Sequence, residues 1–273
     1  MIILSAMNLS GNLLKMRTEF RQPIDYFLQI GNQEVYLNDL LDKTLVFDYN
    51  GVINCIHCGK RTRKSFNQGF CFSCMQTAPE ADESVIRPEL SKAQFGIAKD
   101  MEWSVENDLV DHYVYLSLTN ELKVGVTRYH QIPTRWIDQG AVKAIKLAKT
   151  PNRHIAGVIE NFLKQHLADT TRWQAMLKDE VPGDIDLIAE KKRVGALLHP
   201  ELQKYLVDDP EVVEIEYPGT FQLEKIKSVT FDSEKRIEGK LVRIKGQYLI
   251  FENETVMNIR KHNGYFVNFS VIE

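Results

Sequence analysis

Outside residues 55–74 the chain has no cysteine: Cys55, Cys58, Cys71 and Cys74 are its whole complement. That excludes a disulfide framework spread over the fold. No stretch approaches the roughly 18 uninterrupted apolar residues that a membrane helix needs, so no spanning helix is expected. The net charge is only −3, which excludes a general electrostatic coat for nucleic acid and leaves local patches to carry any such role. No internal repeat or low-complexity segment is present, which removes the solenoid architectures. The opening run MIILSAMNLSGNLLK has neither a basic leader nor a long apolar core. No signal peptide is expected there, and the chain reads as soluble and cytoplasmic, with no membrane partner.

The cysteines form two Cys-x-x-Cys knuckles, Cys55-Ile-His-Cys58 and Cys71-Phe-Ser-Cys74. A tight turn lets both sulfurs of a knuckle face one ion, and four soft thiolates suit tetrahedral zinc. This is the spacing of a structural zinc ribbon. The alternatives, a disulfide pair or a lone redox Cys-x-x-Cys, leave one knuckle unexplained. Gly59 can take the left-handed conformation that closes the first turn, and His57 is expected to be exposed rather than a ligand. Between the knuckles lie Lys60, Arg61, Arg63 and Lys64 with no carboxylate. From Leu122 to Arg153 there are seven Lys or Arg against Asp138 alone. Any one charge run is usually a solvated face, whereas two such runs point toward phosphate.

The pattern along the chain predicts an α+β protein. Residues 1–54 read as a β segment, with alternation in Tyr26–Ile30 and Leu45–Tyr49 and a hairpin turn at Asn50-Gly51. The ribbon follows over 55–74 and an irregular connector over 75–110. Residues 111–180 hold a small sheet with flanking helices. Tyr113–Leu116 and Lys123–Thr127 form a hairpin, and Pro133 starts a short helix that Gly140 stops. Residues 142–149 are a strand or a continuation of that helix. Thr150-Pro151 is expected to cap a long helix running to about Asp169, with Glu160 where the apolar stripe meets water and His166 as a satisfied core histidine. A helix is expected over Trp173–Asp179 at the end of that module, and residues 181–219 read as helical, with helices over Asp184–Leu198 and Pro200–Val207. Residues 220–273 form a small antiparallel sheet or barrel; the patterning leaves open whether it joins the first β segment.

The order strand, turn, strand, helix, third element and Glu-bearing helix, over about Tyr113 to Asp169, resembles the GIY-YIG nuclease superfamily. The resemblance rests on Tyr115 at the first motif's tyrosine, Lys123-Val-Gly125 at the second motif, Arg135 on the next helix and Glu160 at the metal-binding glutamate. Tyr113 stands where that superfamily has a leading glycine, and Lys123 where many members have tyrosine. The whole chain is similar to a bacterial family of unknown function that joins such a module to a zinc ribbon, on Cys58-Gly-Lys, Lys64 to Cys71, Lys123 to Arg128 and Pro133 to Ala141. The region 81–98 has no cysteine, so no second metal site is expected there.

The resemblance implies a metal-dependent endonuclease or phosphodiesterase acting on DNA or RNA. Tyr115 would be the base once adjacent positive charge lowers its pKa. Lys123 and Arg135 would stabilise developing charge, and Glu160 would hold Mg²⁺ or Mn²⁺. Lys60, Arg61, Arg63, Lys64 and Arg128 would contact nucleic acid. Two alternatives remain: a non-catalytic zinc-ribbon protein that binds nucleic acid, and a protein-interaction scaffold in which zinc is only a staple.

Overall fold

The computed structural model describes residues 7–168, 171–181, 183 and 185–272; the first residues of the opening run, Asp169 and Asp184 lie outside them. The chain divides into two compact units, Met1–Gln76 with Glu216–Glu273, and Thr77–Ile215. Together they contain sheets and helices, an α+β composition.

Elements are numbered in chain order. The first unit contains β1 (Asn8–Glu19), β2 (Asp25–Ile30), β3 (Gln33–Tyr36), β4 (Thr44–Asn54), β5 (Arg61–Thr62) and α1 (Phe72–Thr77). From the C-terminal part come β10 (Lys227–Val229), β11 (Arg236–Lys245), β12 (Tyr248–Phe251), β13 (Thr255–Asn258) and β14 (Tyr265–Ile272). They form one sheet in the order β10-β13-β12-β11-β4-β14-β1-β2-β3, with β5 paired to β4. Because β4 lies between β11 and β14, the two terminal β segments share a sheet instead of forming separate ones. The ladder between β1 and β2 shifts register between Leu14 and Arg17. Inside that gap the buried Gln247 amide accepts from Met16 N–H at 2.8 Å and donates to Met16 C=O at 3.1 Å. One side chain thus serves two backbone groups that the bulge left without a strand partner.

Asn50-Gly51 is not a hairpin turn. It lies within β4, whose pairing with β14 shifts register between Ile53 and Tyr49. Gly51 has a φ of +84°, and Val52 N–H is held by Asn50 Oδ1 at 3.0 Å. A positive φ suits a bulge as well as a turn, and the strand continues because β14 pairs with it on both sides of the defect.

The second unit is built on β6 (His112–Leu118), β7 (Leu122–Arg128), β8 (Lys143–Thr150) and β9 (Val212–Glu214), in the antiparallel order β7-β6-β8-β9. Residues 142–149 thus resolve as strand. Its helices are α2 (Met101–Asn107), α3 (Thr134–Asp138), α4 (Arg153–Leu163), α5 (Trp173–Leu177), α6 (Leu187–Leu197) and α7 (Pro200–Gln203). Val114, Leu116, Val124, Ile145 and Leu147 meet Ala156, Ile159 and Leu163 of α4 in one buried cluster. The cap of α4 is Asn152, whose Oδ1 accepts from Ile155 N–H at 3.0 Å, and not Thr150-Pro151. Thr150 belongs to β8 and its hydroxyl donates to Asn152 C=O. The regular helix ends at Leu163, so His166 lies past it, exposed against the Phe162 ring rather than in the core.

The connector is more ordered than its composition suggests, with four 3-10 turns before α2 and an Asp100 side chain capping that helix. Arg153 fastens it to α4: buried, it donates to Ser84 C=O and Val85 C=O, both at 2.8 Å. Gly157 lets the two surfaces touch. A methyl group there would stand 2.1 Å from Glu89 N and 2.4 Å from Pro88 C, both backbone atoms. Gly157→Ala is expected to force the connector off α4 and cost about 2–3 kcal/mol. An unchanged urea midpoint would refute that packing.

Each unit buries a neutral histidine. Burial pushes His112 and His262 down to about 4. His112 Nδ1 lies 2.8 Å from Val110 C=O; His262 Nδ1 lies 2.8 Å from Asn258 C=O, and its Nε2 accepts from Phe231 N–H at 3.3 Å. Because the folded values are depressed, the unfolded chain binds more protons over this range. The contribution of each is whole above about pH 6.5 and falls as pH drops toward 4, by about 3 kcal/mol per residue. His112→Gln should flatten the acid limb of a pH series of urea midpoints; an equally steep limb would contradict this.

Candidate functional site

The four cysteines are free, and their sulfurs all lie within 4.8 Å of one another, with Cys58 Sγ 4.0 Å from Cys71 Sγ. Bonds of roughly 2.3 Å to a tetrahedral zinc would set sulfurs about 3.8 Å apart. The group could therefore hold a metal ion, and the fit is that of a structural zinc. Local backbone explains the convergence. Gly59, with a φ of +70°, closes the first knuckle through Gly59 N–H to Cys55 C=O at 2.8 Å. The second knuckle opens α1, where Cys74 N–H points at Cys71 Sγ. Asn54 N–H donates to Gly264 C=O at 2.8 Å, and Asn263 donates to Gln68 C=O at 3.0 Å, so the segment is tied to the turn before β14. His57 is exposed and outside the sulfur cluster. Lys60, Arg61, Arg63 and Lys64 are exposed, and none makes an ion pair among the described residues.

In the second unit Tyr115 pairs across the hairpin with Gly125. Alternation turns Tyr115 away from the α4-facing Val114 and Leu116, and its ring lies across edge strand β7. A methyl group on Gly125 would stand 2.5 Å from the Tyr115 hydroxyl, so only glycine admits the ring. Trp136 packs edge-on against it at 5.9 Å. Gln139 joins the hydroxyl to α3. With its amide oriented to satisfy both neighbours, Nε2 donates to Tyr115 Oη at 2.9 Å while Oε1 accepts from Arg135 Nη2 and Nε at 3.2 and 3.3 Å.

Arg135 and Glu160 both act on the Tyr115 hydroxyl. Burial holds its pKa above the ordinary value; Arg135 works against burial and Glu160 with it. The expectation of a lowered tyrosine pKa is therefore corrected. The ring is fully buried, and removal from water outweighs one guanidinium. Glu160 is 8% exposed, with Oε2 lacking any hydrogen-bond partner and Lys164 Nζ at 3.5 Å. Burial raises its pKa, Lys164 lowers it, and Glu89 adds to the rise.

The structure joins Arg135 to the Tyr115 hydroxyl through Gln139, while Glu160 on α4 reaches that hydroxyl by its charge and makes no contact with it. Lys123 shares Tyr115's face of the hairpin, but its ammonium donates to Thr171 Oγ1 at 2.9 Å. Arg128 is turned inward, with its guanidinium 5.4 Å from the Trp103 ring centroid and its pKa lowered by burial. Its expected role as an exposed phosphate contact is corrected, because the side chain is partly buried against its own unit. Gln139 was missed from sequence, although its position four residues after Arg135 was the available signal.

A family model described as Protein of unknown function (DUF2797) matches residues 42–267. The chain belongs to the DUF2797 family. The matched region of this DUF2797 member takes in the four cysteines and the Tyr115, Arg135 and Glu160 group. No curated protein and no solved structure matches the chain. Among its described residues no helix is long and apolar enough to cross a membrane.

Proposed function

We propose that this DUF2797 chain is a metal-dependent phosphodiester hydrolase of the GIY-YIG type acting on nucleic acid. One observation carries the reading: Arg135 from α3 and Glu160 from α4 both bear on the charge of the Tyr115 hydroxyl from β6, whose ring has room only because Gly125 lies opposite it on the next strand. The hairpin, α3, β8 and α4 follow in the order the resemblance implies, with the first strand central between the second and third. In this reading the cysteines hold zinc as a staple, and the cations between the knuckles face phosphate.

Glu160 could hold a hard cation because it presents a nearly buried carboxylate whose Oε2 has the Lys164 ammonium at 3.5 Å as its neighbour and no hydrogen bond of good geometry. A bound Mg²⁺ or Mn²⁺ would supply charge neutralisation for the phosphate oxygens. Arg135 offers a planar fork for the same oxygens. Gln139 Nε2 and Arg135 favour the phenolate of Tyr115, and the negative charge of Glu160 opposes it. With its phenol proton released to solvent, Tyr115 would take a proton from the attacking water, and it would be more available as that base where the Glu160 charge is offset. Lys123, held at Thr171, lends positive charge from the same face.

The second reading, a non-catalytic nucleic-acid-binding protein, is favoured by the complete burial of Tyr115 and its raised pKa. A panel of plasmid, branched DNA and RNA with Mg²⁺ or Mn²⁺ separates the two. Metal-dependent cleavage of at least one substrate is expected. Salt-sensitive binding without cleavage of any substrate would replace the hydrolase by the binder.

A further inference from the structure

The segment between the knuckles carries more than charge. Phe72 is 55% exposed, although it sits beside a cysteine cluster that a core aromatic could have covered. Its ring lies 5.6 Å from that of Phe66 at 64°. Lys64 Nζ stands 5.5 Å from the Phe66 centroid, so cation and ring are presented together. Lys60, Arg61 and Arg63 are exposed on the same loop, and no carboxylate occurs between Cys55 and Cys74. A single exposed phenylalanine is ordinary. Two neighbouring rings within four unpaired cations form a surface for a polyanion that also offers aromatic faces.

We propose that this loop binds single-stranded nucleic acid, with bases stacking on Phe72 and Phe66 and phosphates meeting Lys60, Arg61, Arg63 and Lys64. A duplex keeps its base faces against one another and offers the loop only phosphates. A single strand offers both, and stacking tolerates any sequence because every base has a π face. The inference rests on the nucleic-acid part of the reading above and not on the hydrolytic group.

The test is fluorescence anisotropy on the full, zinc-loaded chain without added Mg²⁺. The probes are a labelled oligothymidylate, a single strand of mixed sequence, the duplex of that sequence, and heparin as a polyanion without bases. Both single strands should bind about tenfold or more tighter than the duplex, with a salt slope of about −3 for four neutralised phosphates. Phe72→Ala should weaken single-strand binding about tenfold and leave duplex binding unchanged. Phe72→Trp should restore it, and the new indole should be quenched on binding, which a folding defect would not produce. Equal or tighter binding of the duplex, heparin binding as tight as single-strand binding, or indifference to Phe72→Ala would overturn the proposal. A chain that cleaves through Glu160 but prefers duplex loses this inference and keeps the hydrolase. One that binds single strands through Phe72 and never cleaves does the reverse.

Discussion

Treatment with a strong chelator is expected to release one zinc ion per chain and to unfold the segment from Cys55 to Cys74. Few side chains between the knuckles are buried, Phe70 being the main apolar one, so the loop has almost no core of its own. What gathers it is four sulfurs within 4.8 Å. Structural zinc sites of this kind bind with about 10 kcal/mol or more, and that free energy is folding free energy. The loss should spread, because β4 runs into the first knuckle and β5 pairs back onto β4 at Ile53 and Asn54. Cys58→Ser removes an exposed ligand with little disturbance of packing, so its effect reports the metal bond. Zinc content measured by a colorimetric dye and thermal melting should fall together in that variant. An unchanged melt with no zinc in the wild type would show the sulfurs to be a bystander cluster.

Loss of Arg135 is expected to lower the cleavage rate by about 10²- to 10³-fold, the usual consequence of removing one preorganised donor from developing charge. Arg135→Ala strips Gln139 of its partner as well, so the Tyr115 hydroxyl loses two influences that favour its ionised form. Arg135→Lys restores charge but not the two-nitrogen contact with Gln139, and should recover little of the rate. The defect should appear in kcat at saturating substrate, because the nucleic-acid contacts proposed for Lys60, Arg61, Arg63 and Lys64 are untouched. A variant that merely raised KM would assign Arg135 to binding alone.

The sequence foretold some of this directly and some not at all. Cysteine spacing placed the four-sulfur cluster, which could hold a metal ion, because two knuckles of this kind have few other uses. The hairpin and the α4 stripe were legible because alternation and helical period act within a few residues. The bulge at Gly51 was not, since a positive φ serves a turn and a bulge alike, and only pairing with β14, some two hundred residues on, decides between them. The helix cap moved from Thr150 to Asn152 because β8 claimed Thr150. Burial was the largest gap. Sequence order offered Tyr115, Arg135 and Glu160 as candidates, but the sealing of the tyrosine and the inward turn of Arg128 depend on packing that no local pattern encodes.

The most direct test of the hydrolytic group is a crystal soaked in Mn²⁺ and measured at the manganese edge. The account predicts an anomalous peak at the Glu160 carboxylate, with Lys164 displaced from Oε2. A well-ordered Glu160 still paired with Lys164, with no peak beside it, would contradict the hydrolase.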